Sequence, residues 1–418
     1  MRIAIIGAGF TGLTAALRLS QKGHKVTVFE KQKNAGGLSG SFGEKNWEWP
    51  LEYFFHHLFA SDSTVKNLIN ELGLSNKLFY RQPKTSVFFQ GKISQFDSFL
   101  SIIEFPYLNL PEKLRTGIVT LYLKTIENWK PFEKISAFDW LGKYYGKKPF
   151  EVLWKPLILA KFGKFADQIS MAWFWARIKK RSFNLGYLEG GFQTLTDKLI
   201  EKIQKNNGKI YFNHNICCSD DLNHDNKFDR VIFTTPNSTF LKIISSLPKG
   251  YKEKFSKLKM IGALNLILIL KKKFLTDGTY WLNINDQGFP FVAVVEHTNF
   301  IDPKYYNGQH ILYVGGYYPQ NHRYFKMDKT QILKEFLPSL QKINPKFNFQ
   351  LDAKRYTLYA NLHAQPIIPL NYSQLIPSHQ TPIANVYLAN MQQIYPWDRG
   401  TNYAIELGEK IANEIENS

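Results

Sequence analysis

Cysteine is almost missing from this chain of 418 residues: there are two, Cys217 and Cys218, side by side. Neighbouring residues rarely reach disulfide geometry, so the pair reads as reduced thiols in a cytosolic setting and builds no framework. It makes no metal cluster either, and no metal is expected. Neither G-x-S-x-G nor H-E-x-x-H occurs, which leaves a serine, cysteine or metal mechanism without support. Long apolar runs are absent as well. The longest, Ile261 to Leu270 ("IGALNLILIL"), holds a Gly and an Asn, stops at three lysines, and reads as a buried strand. A strand that opens at residue 2 leaves no room for a signal peptide, so the expectation is a cytoplasmic protein or one that lies on a membrane face. Internal repeats and low-complexity linkers are lacking too.

Acidic residues are few, 34 Asp and Glu against 53 Lys and Arg, for a net charge of +19. That balance favours an anionic partner, but the lysines are scattered and no nucleic-acid-binding motif accompanies them. Aromatics are plentiful at 15% of the chain, which suits thick cores or a deep apolar pocket. The length calls for two domains, or one nucleotide-binding domain with a large insertion.

The first informative stretch is "IAIIGAGFTGLTAALRLSQKGHKVTVFEK", residues 3 to 31. A strand runs into Gly7, Gly9, Phe10, Thr11 and Gly12 with G-x-G-x-x-G spacing. The first glycine allows the tight turn, the second admits a pyrophosphate, and the third lets the following helix pack on the sheet. The pyrophosphate then sits at a helix N-terminus, where free amides and the dipole favour anions. Glu30 ends the next strand, 18 residues past Gly12, where a carboxylate accepts from a ribose hydroxyl pair and repels the extra phosphate of NADP.

Beyond Glu30 and Lys31, a second cluster, Gly36 and Gly37, precedes Leu38. Far downstream come "LGYLEGGFQTLTDKL" (185 to 199), the strand-like runs "GKIYFNHNI" and "DRVIFTTP", and finally "NVYLANMQQIYPWDRGTNYAIELGEKIANEI". On these residues the chain resembles the FAD-dependent amine oxidases, protoporphyrinogen oxidases and phytoene desaturases, in which the fingerprint is followed by E-x-x-x-x-x-G-G, usually with Arg next. Leu38 replaces that Arg and removes one charge near the diphosphate or flavin.

The resemblance implies an α/β fold, with a Rossmann-like FAD-binding domain (1–85, 185–245 and 380–418) interleaved with a mixed α+β substrate domain (86–184 and 246–379). It implies FAD as cofactor, with Ile216 at the adenine and Gly400, Thr401 and Asn402 at the start of a helix under the isoalloxazine. Asn390 stands where an acid often binds the ribityl chain or diphosphate; an amide still hydrogen-bonds there without charge repulsion.

Chemistry is harder to read. His56 and His57, in "LEYFFHHLF", fall where family members place a strand and loop on the flavin face, and a histidine there shuttles a proton or donates to flavin N5. The alternative is one turn cap and one satisfied core group. Arg399 suits an anionic substrate or reduced flavin, or an ion pair with Asp398 that fixes the loop. Tyr395 and Trp397 are candidates to line the pocket, and Trp173, Trp175 and Arg177 to form an apolar wall with a charged exit, or simply core. The leading reading is an FAD-dependent oxidoreductase that dehydrogenates, reduces or isomerises a lipophilic isoprenoid- or tetrapyrrole-like substrate. The amphipathic segment near residues 99 to 126 would touch a membrane face. A UDP-sugar mutase with a pyrophosphate-bearing substrate and no net redox, and a non-catalytic flavin-binding protein, are the alternatives.

Overall fold

A computed structural model describes residues 1–222, 228–349 and 355–417. Strand β1 (Arg2–Ile6), helix α1 (Phe10–Gln21) and strand β2 (Lys25–Phe29) follow one another as the opening pattern predicts. They seed a parallel five-stranded sheet in the order Lys209–Tyr211, β2, β1, Arg230–Phe233, Val386–Leu388, so segments from the start, middle and end of the chain share one layer. The inner strands are short and mostly apolar, as expected for strands covered on both faces, while the edge strand Lys209–Tyr211 leaves Lys209 and Tyr211 exposed.

A second, seven-stranded sheet is mostly antiparallel. Met260–Leu270, buried almost throughout, lies next to the edge strand, between Tyr356–Pro366 and His310–Tyr318. The apolar run that is too short for a membrane is therefore a core strand. Ala293–Glu296, Thr279–Ile284, Lys84–Phe89 and Lys92–Gln95 complete the sheet. Lys84–Phe89 straddles the boundary expected at 85/86 and pairs in parallel with Thr279–Ile284. That partner lies far along the chain, so local patterning carries no sign of it. Between residues 99 and 180 lie helices Phe99–Glu104, Leu110–Thr125, Ala137–Tyr145, Lys155–Phe162 and Met171–Lys180. Asn109 and Glu112 close a capping box at the start of Leu110–Thr125, with Pro111 in its first turn.

One buried acid ties the layers together. Glu52 is fully buried; its Oε1 accepts from the Phe192 amide (2.8 Å) and its Oε2 from the Tyr187 hydroxyl (2.6 Å), capping helix Gly191–Lys205. Burial pushes its carboxyl up to about 7, and burial does the same for Glu296. A folded-state carboxyl that holds its proton above the unfolded value of 4.5 contributes most below that pH, and the contribution is lost as pH rises to about 7. Each such group makes a difference of about 3 kcal/mol across that window. Glu52→Gln is expected to make urea-unfolding stability less unfavourably dependent on rising pH between pH 5 and 7, on top of the other buried acids and histidines that titrate there; an unchanged pH dependence would contradict the assignment.

Candidate cofactor and substrate site

The glycines after β1 differ in what they do. Gly7 has φ +109°, a conformation open to glycine, and a Cβ on Gly12 would stand 2.1 Å from the Gly7 carbonyl oxygen, so helix and strand touch backbone to backbone. A Cβ on Gly9 would meet nothing within 4 Å, because that position faces open space. The amide of Gly36 donates to the Ala8 carbonyl (2.9 Å), and a Cβ on Gly37 would lie 3.3 Å from the Gly9 Cα, so the second glycine cluster closes over the first. Glu30, buried at the end of β2, accepts from the amides of Ala8 (2.8 Å) and Gln32 (2.9 Å). Lys31 beside it is exposed. His214 donates from its amide to the Glu30 carbonyl (2.9 Å), and buried Ile216 follows two residues on.

Helix α1 starts without a side-chain cap, and so does the C-terminal helix Thr401–Glu416 behind Gly400. The two cross closely: a Cβ on Gly408 would approach the Thr11 carbonyl oxygen to 2.6 Å. Two uncapped helix starts, with orphan N–H groups, thus lie in one layer. Asn402 Oδ1 accepts from the Val65 amide (3.0 Å), which holds helix Ser63–Glu71 to the same place. An open approach at Gly9, a buried acid at the strand end and two uncapped helix starts fit a dinucleotide with a phosphate-rich middle and a polar ring at its far end. Asn390 is placed differently from the expectation. Its Nδ2 donates to the Thr235 carbonyl (2.9 Å) and Asn237 Oδ1 (2.7 Å), while its Oδ1 accepts from the Gln392 amide (3.0 Å), so a cofactor contact would compete with three internal bonds.

Beyond this cradle opens a cavity of about 230 Å³ that Leu38, His56, His57, Arg399, Gly400, Thr401 and Asn402 all line. Residues from widely separated parts of the chain therefore meet here. His56 donates from Nδ1 to the Phe54 carbonyl (2.5 Å), and His57 Nδ1 lies 3.5 Å from the Tyr280 hydroxyl. Burial pulls their imidazoles down to about 4 and about 3, helped by Arg399 for His56 and by Arg181 for His57, so both are neutral at neutral pH. A neutral imidazole offers one N–H donor and one lone pair, and brings no charge.

The loop before the last helix departs from expectation. Asp398 pairs with Arg177, not with Arg399, and also accepts from Trp173 Nε1 (3.3 Å). Arg399 donates instead to Gln365 Oε1 (3.0 Å) and the Tyr317 hydroxyl (2.7 Å). Burial alone would raise the Asp398 carboxyl, but Lys161, Arg177 and Arg399 hold it well below the usual carboxylate range. Tyr395 and Trp397 do not line the cavity. Tyr395 packs against Trp129 and Tyr372, while Trp397 stacks between Trp175 (5.3 Å) and Tyr403 (5.8 Å). Trp173 and Trp175 are buried core, and only Arg177 of that trio reaches the cavity.

Sequence reasoning missed Lys161, Lys180, Arg181, Asp62 and Trp281, which also line the cavity. Lys161 sits in "LILAKFGK", where nothing local separates it from a surface lysine; the signal lies in three-dimensional convergence alone.

A parallel sheet with a glycine-built cradle, and a cavity at the far uncapped helix, define a dinucleotide-binding protein. The chain belongs to the flavin-containing amine oxidoreductases, whose family model matches residues 10–415. The FAD expected from the motifs accordingly stands as its cofactor. Zeta-carotene desaturase of Zea mays is 25% identical over 234 residues, half of this chain and 39% of that protein. A 4,4'-diapophytoene desaturase of Staphylococcus haemolyticus is 57% identical over 51 residues, 12% of this chain and 10% of that one. The chain thus spans well under two thirds of the length of these curated relatives. Among solved structures, a candidate protoporphyrinogen oxidase from Exiguobacterium sp. 255-15 superposes with a TM-score of 0.75 at 16% identity, covering 100% of this chain and 98% of that one. Reduced UDP-galactopyranose mutase gives 0.74 at 17%, covering 100% and 95%. At such identities the likeness shows the shared fold.

Proposed function

We propose that the protein is an FAD-dependent oxidoreductase that carries out a two-electron oxidation or reduction on a small, largely apolar molecule. The observation that carries this reading is the cavity itself, which joins the start of the Thr401–Glu416 helix to a wall of Phe54, Phe55, Phe59, Trp281 and Val292. FAD supplies the hydride chemistry when bound. Gly7, Gly9, Phe10, Thr11, Gly12, Gly36 and Gly37 would receive its diphosphate, Glu30 and Lys31 its ribose, Ile216 its adenine, and Leu38, Gly400, Thr401 and Asn402 its ring end. The apolar wall orients substrate and excludes water. His57, kept neutral, meets the substrate as an uncharged hydrogen-bond donor or acceptor. His57→Ala is expected to retain full flavin content while turnover falls by about tenfold or more; loss of flavin would make the residue structural. A mutase reading differs in stoichiometry: one reduction sustains turnover without net acceptor consumption, whereas the oxidoreductase consumes one acceptor equivalent per product.

Carotenoid desaturases among the relatives, which act on isoprenoids, support a lipophilic substrate, and the surface supports delivery from a membrane face. Among the described residues no helix is long and apolar enough to cross a membrane. Helix Leu110–Thr125 nevertheless turns Leu110, Leu114, Ile118 and Leu121 outward, and Phe99 and Leu100 join them, all between 56 and 71% exposed. This reverses the usual apolar-in pattern. Lys124, at the end of the stripe, donates to the Arg181 carbonyl (2.8 Å), which ties the stripe to the cavity wall. Leu114→Glu with Ile118→Glu is expected to cut sedimentation with anionic vesicles by about tenfold or more; unchanged sedimentation would contradict this face.

A further inference from the structure

The cavity carries more positive charge than its own acids neutralise. Lys161, Arg177, Lys180, Arg181 and Arg399 line it against Asp62 and Asp398. Asp398 is occupied by Arg177, and Asp62 accepts from the Phe59 amide (2.8 Å). Among the described residues Lys161 Nζ has no hydrogen-bond acceptor and rests on the ring faces of Trp173 (4.9 Å), Tyr317 (5.0 Å) and Phe162 (5.6 Å). Burial, with Arg177 and Arg399 nearby, pulls its amine well below the usual lysine range, so an arriving anion would favour its charged form. The Arg181 guanidinium also lacks an acceptor there, and Lys180 Nζ lies 4.6 Å over the Trp397 ring. Arg399 spends its donors on two neutral groups.

Lys161 and Lys180 are partly buried and Arg181 is exposed; for the partly buried ammonium groups, ring faces return only part of the cost of leaving water. A set of cations that face one cavity without acceptors is explained if the acceptors arrive with the ligand. Reduced flavin contributes one negative charge at most, too few for Lys161, Lys180, Arg181 and Arg399 together. The remaining wall, Phe55, Phe59, Trp281 and Val292, is apolar.

We propose that the substrate is an amphiphile with an anionic head of two or more negative charges, of the phosphate class, seated on Lys161, Lys180 and Arg181 with its apolar body against Phe55, Phe59 and Trp281. This rests on the reading of the cavity as the substrate site, and it sets this chain apart from enzymes whose substrates are uncharged hydrocarbons.

The test uses oxidised, FAD-loaded protein titrated with octyl phosphate, octanoate and 1-octanol at about pH 8, where the phosphate is a dianion. Binding is read from the flavin difference spectrum and tryptophan fluorescence. Octyl phosphate is expected to bind about tenfold or more tighter than 1-octanol, with octanoate between them, as charge-assisted hydrogen bonds to the head require. Lys161→Met with Arg181→Met should bring that ratio towards one while flavin content is unchanged. If the double variant does not fold, added NaCl should collapse the ratio in the wild-type protein and Lys161→Gln alone should lower it. Equal binding of octanol and octyl phosphate, or a ratio that survives the substitutions, overturns the anionic head and leaves the apolar site standing. Failure of all three probes to bind overturns both.

Discussion

Gly12→Leu is expected to yield a chain that retains no flavin. The Cβ that any larger residue brings would stand 2.1 Å from the Gly7 carbonyl oxygen, and backbone cannot swing aside as a side-chain tip does. Overpacking in a tight site costs about 1–3 kcal/mol or more, and here it falls between the first strand and helix of the parallel sheet. Gly9→Val separates folding from binding. Gly9 has φ −76°, acceptable to any residue, and its Cβ would enter open space, so the variant is expected to fold with near wild-type stability and come out colourless. Flavin absorbance per mole and apoprotein melting temperature measure both outcomes. A yellow Gly9→Val protein would show that the space beside Gly9 is not the diphosphate path.

The second large effect is at Asp398. It neutralises Arg177 and lies within the field of Lys161 and Arg399, with a side chain 19% exposed. Asp398→Asn removes the carboxylate and leaves its cations in place; because Arg177 is 40% exposed, solvent screens part of the pair, and the loss is expected at about 1–3 kcal/mol. Adding Lys161→Met to Asp398→Asn should recover part of that loss, because the excess charge falls by one. Thermal unfolding of the two single variants and the double variant provides the cycle. Purely additive losses would contradict electrostatic coupling between these residues.

What was legible in the sequence was local. From β1 to Glu30 the strand, glycines, helix and acid obey short-range rules, so backbone need and residue type coincide within 31 residues. Gly36–Gly37 and Gly400–Asn402 stand out through the resemblance to the flavoprotein family, and in the structure they lie at the cavity wall or in the cradle beside it. What escaped depends on long-range pairing. Nothing near Lys84–Phe89 announces a partner strand at Thr279–Ile284, and nothing near Lys161 or Arg181 announces a shared cavity. Glu52 looked like one acid among many until Tyr187 and Phe192 closed on it from another segment. Asp398 and Arg399 looked like an ion pair because they are adjacent, but the fold gives Asp398 to Arg177 and turns Arg399 to Gln365 and Tyr317. Helix Leu110–Thr125 was recognisable as amphipathic; that its apolar stripe faces outward is a property of packing.

The central claim is that one chain holds FAD between the glycine cradle at its start and the uncapped helix at its end. Purified protein, denatured to release its cofactor, tests this most directly when the released compound is identified and counted against protein. The account predicts a yellow protein that releases FAD, about one per chain. A colourless protein that binds NADH tightly and releases no flavin would contradict it.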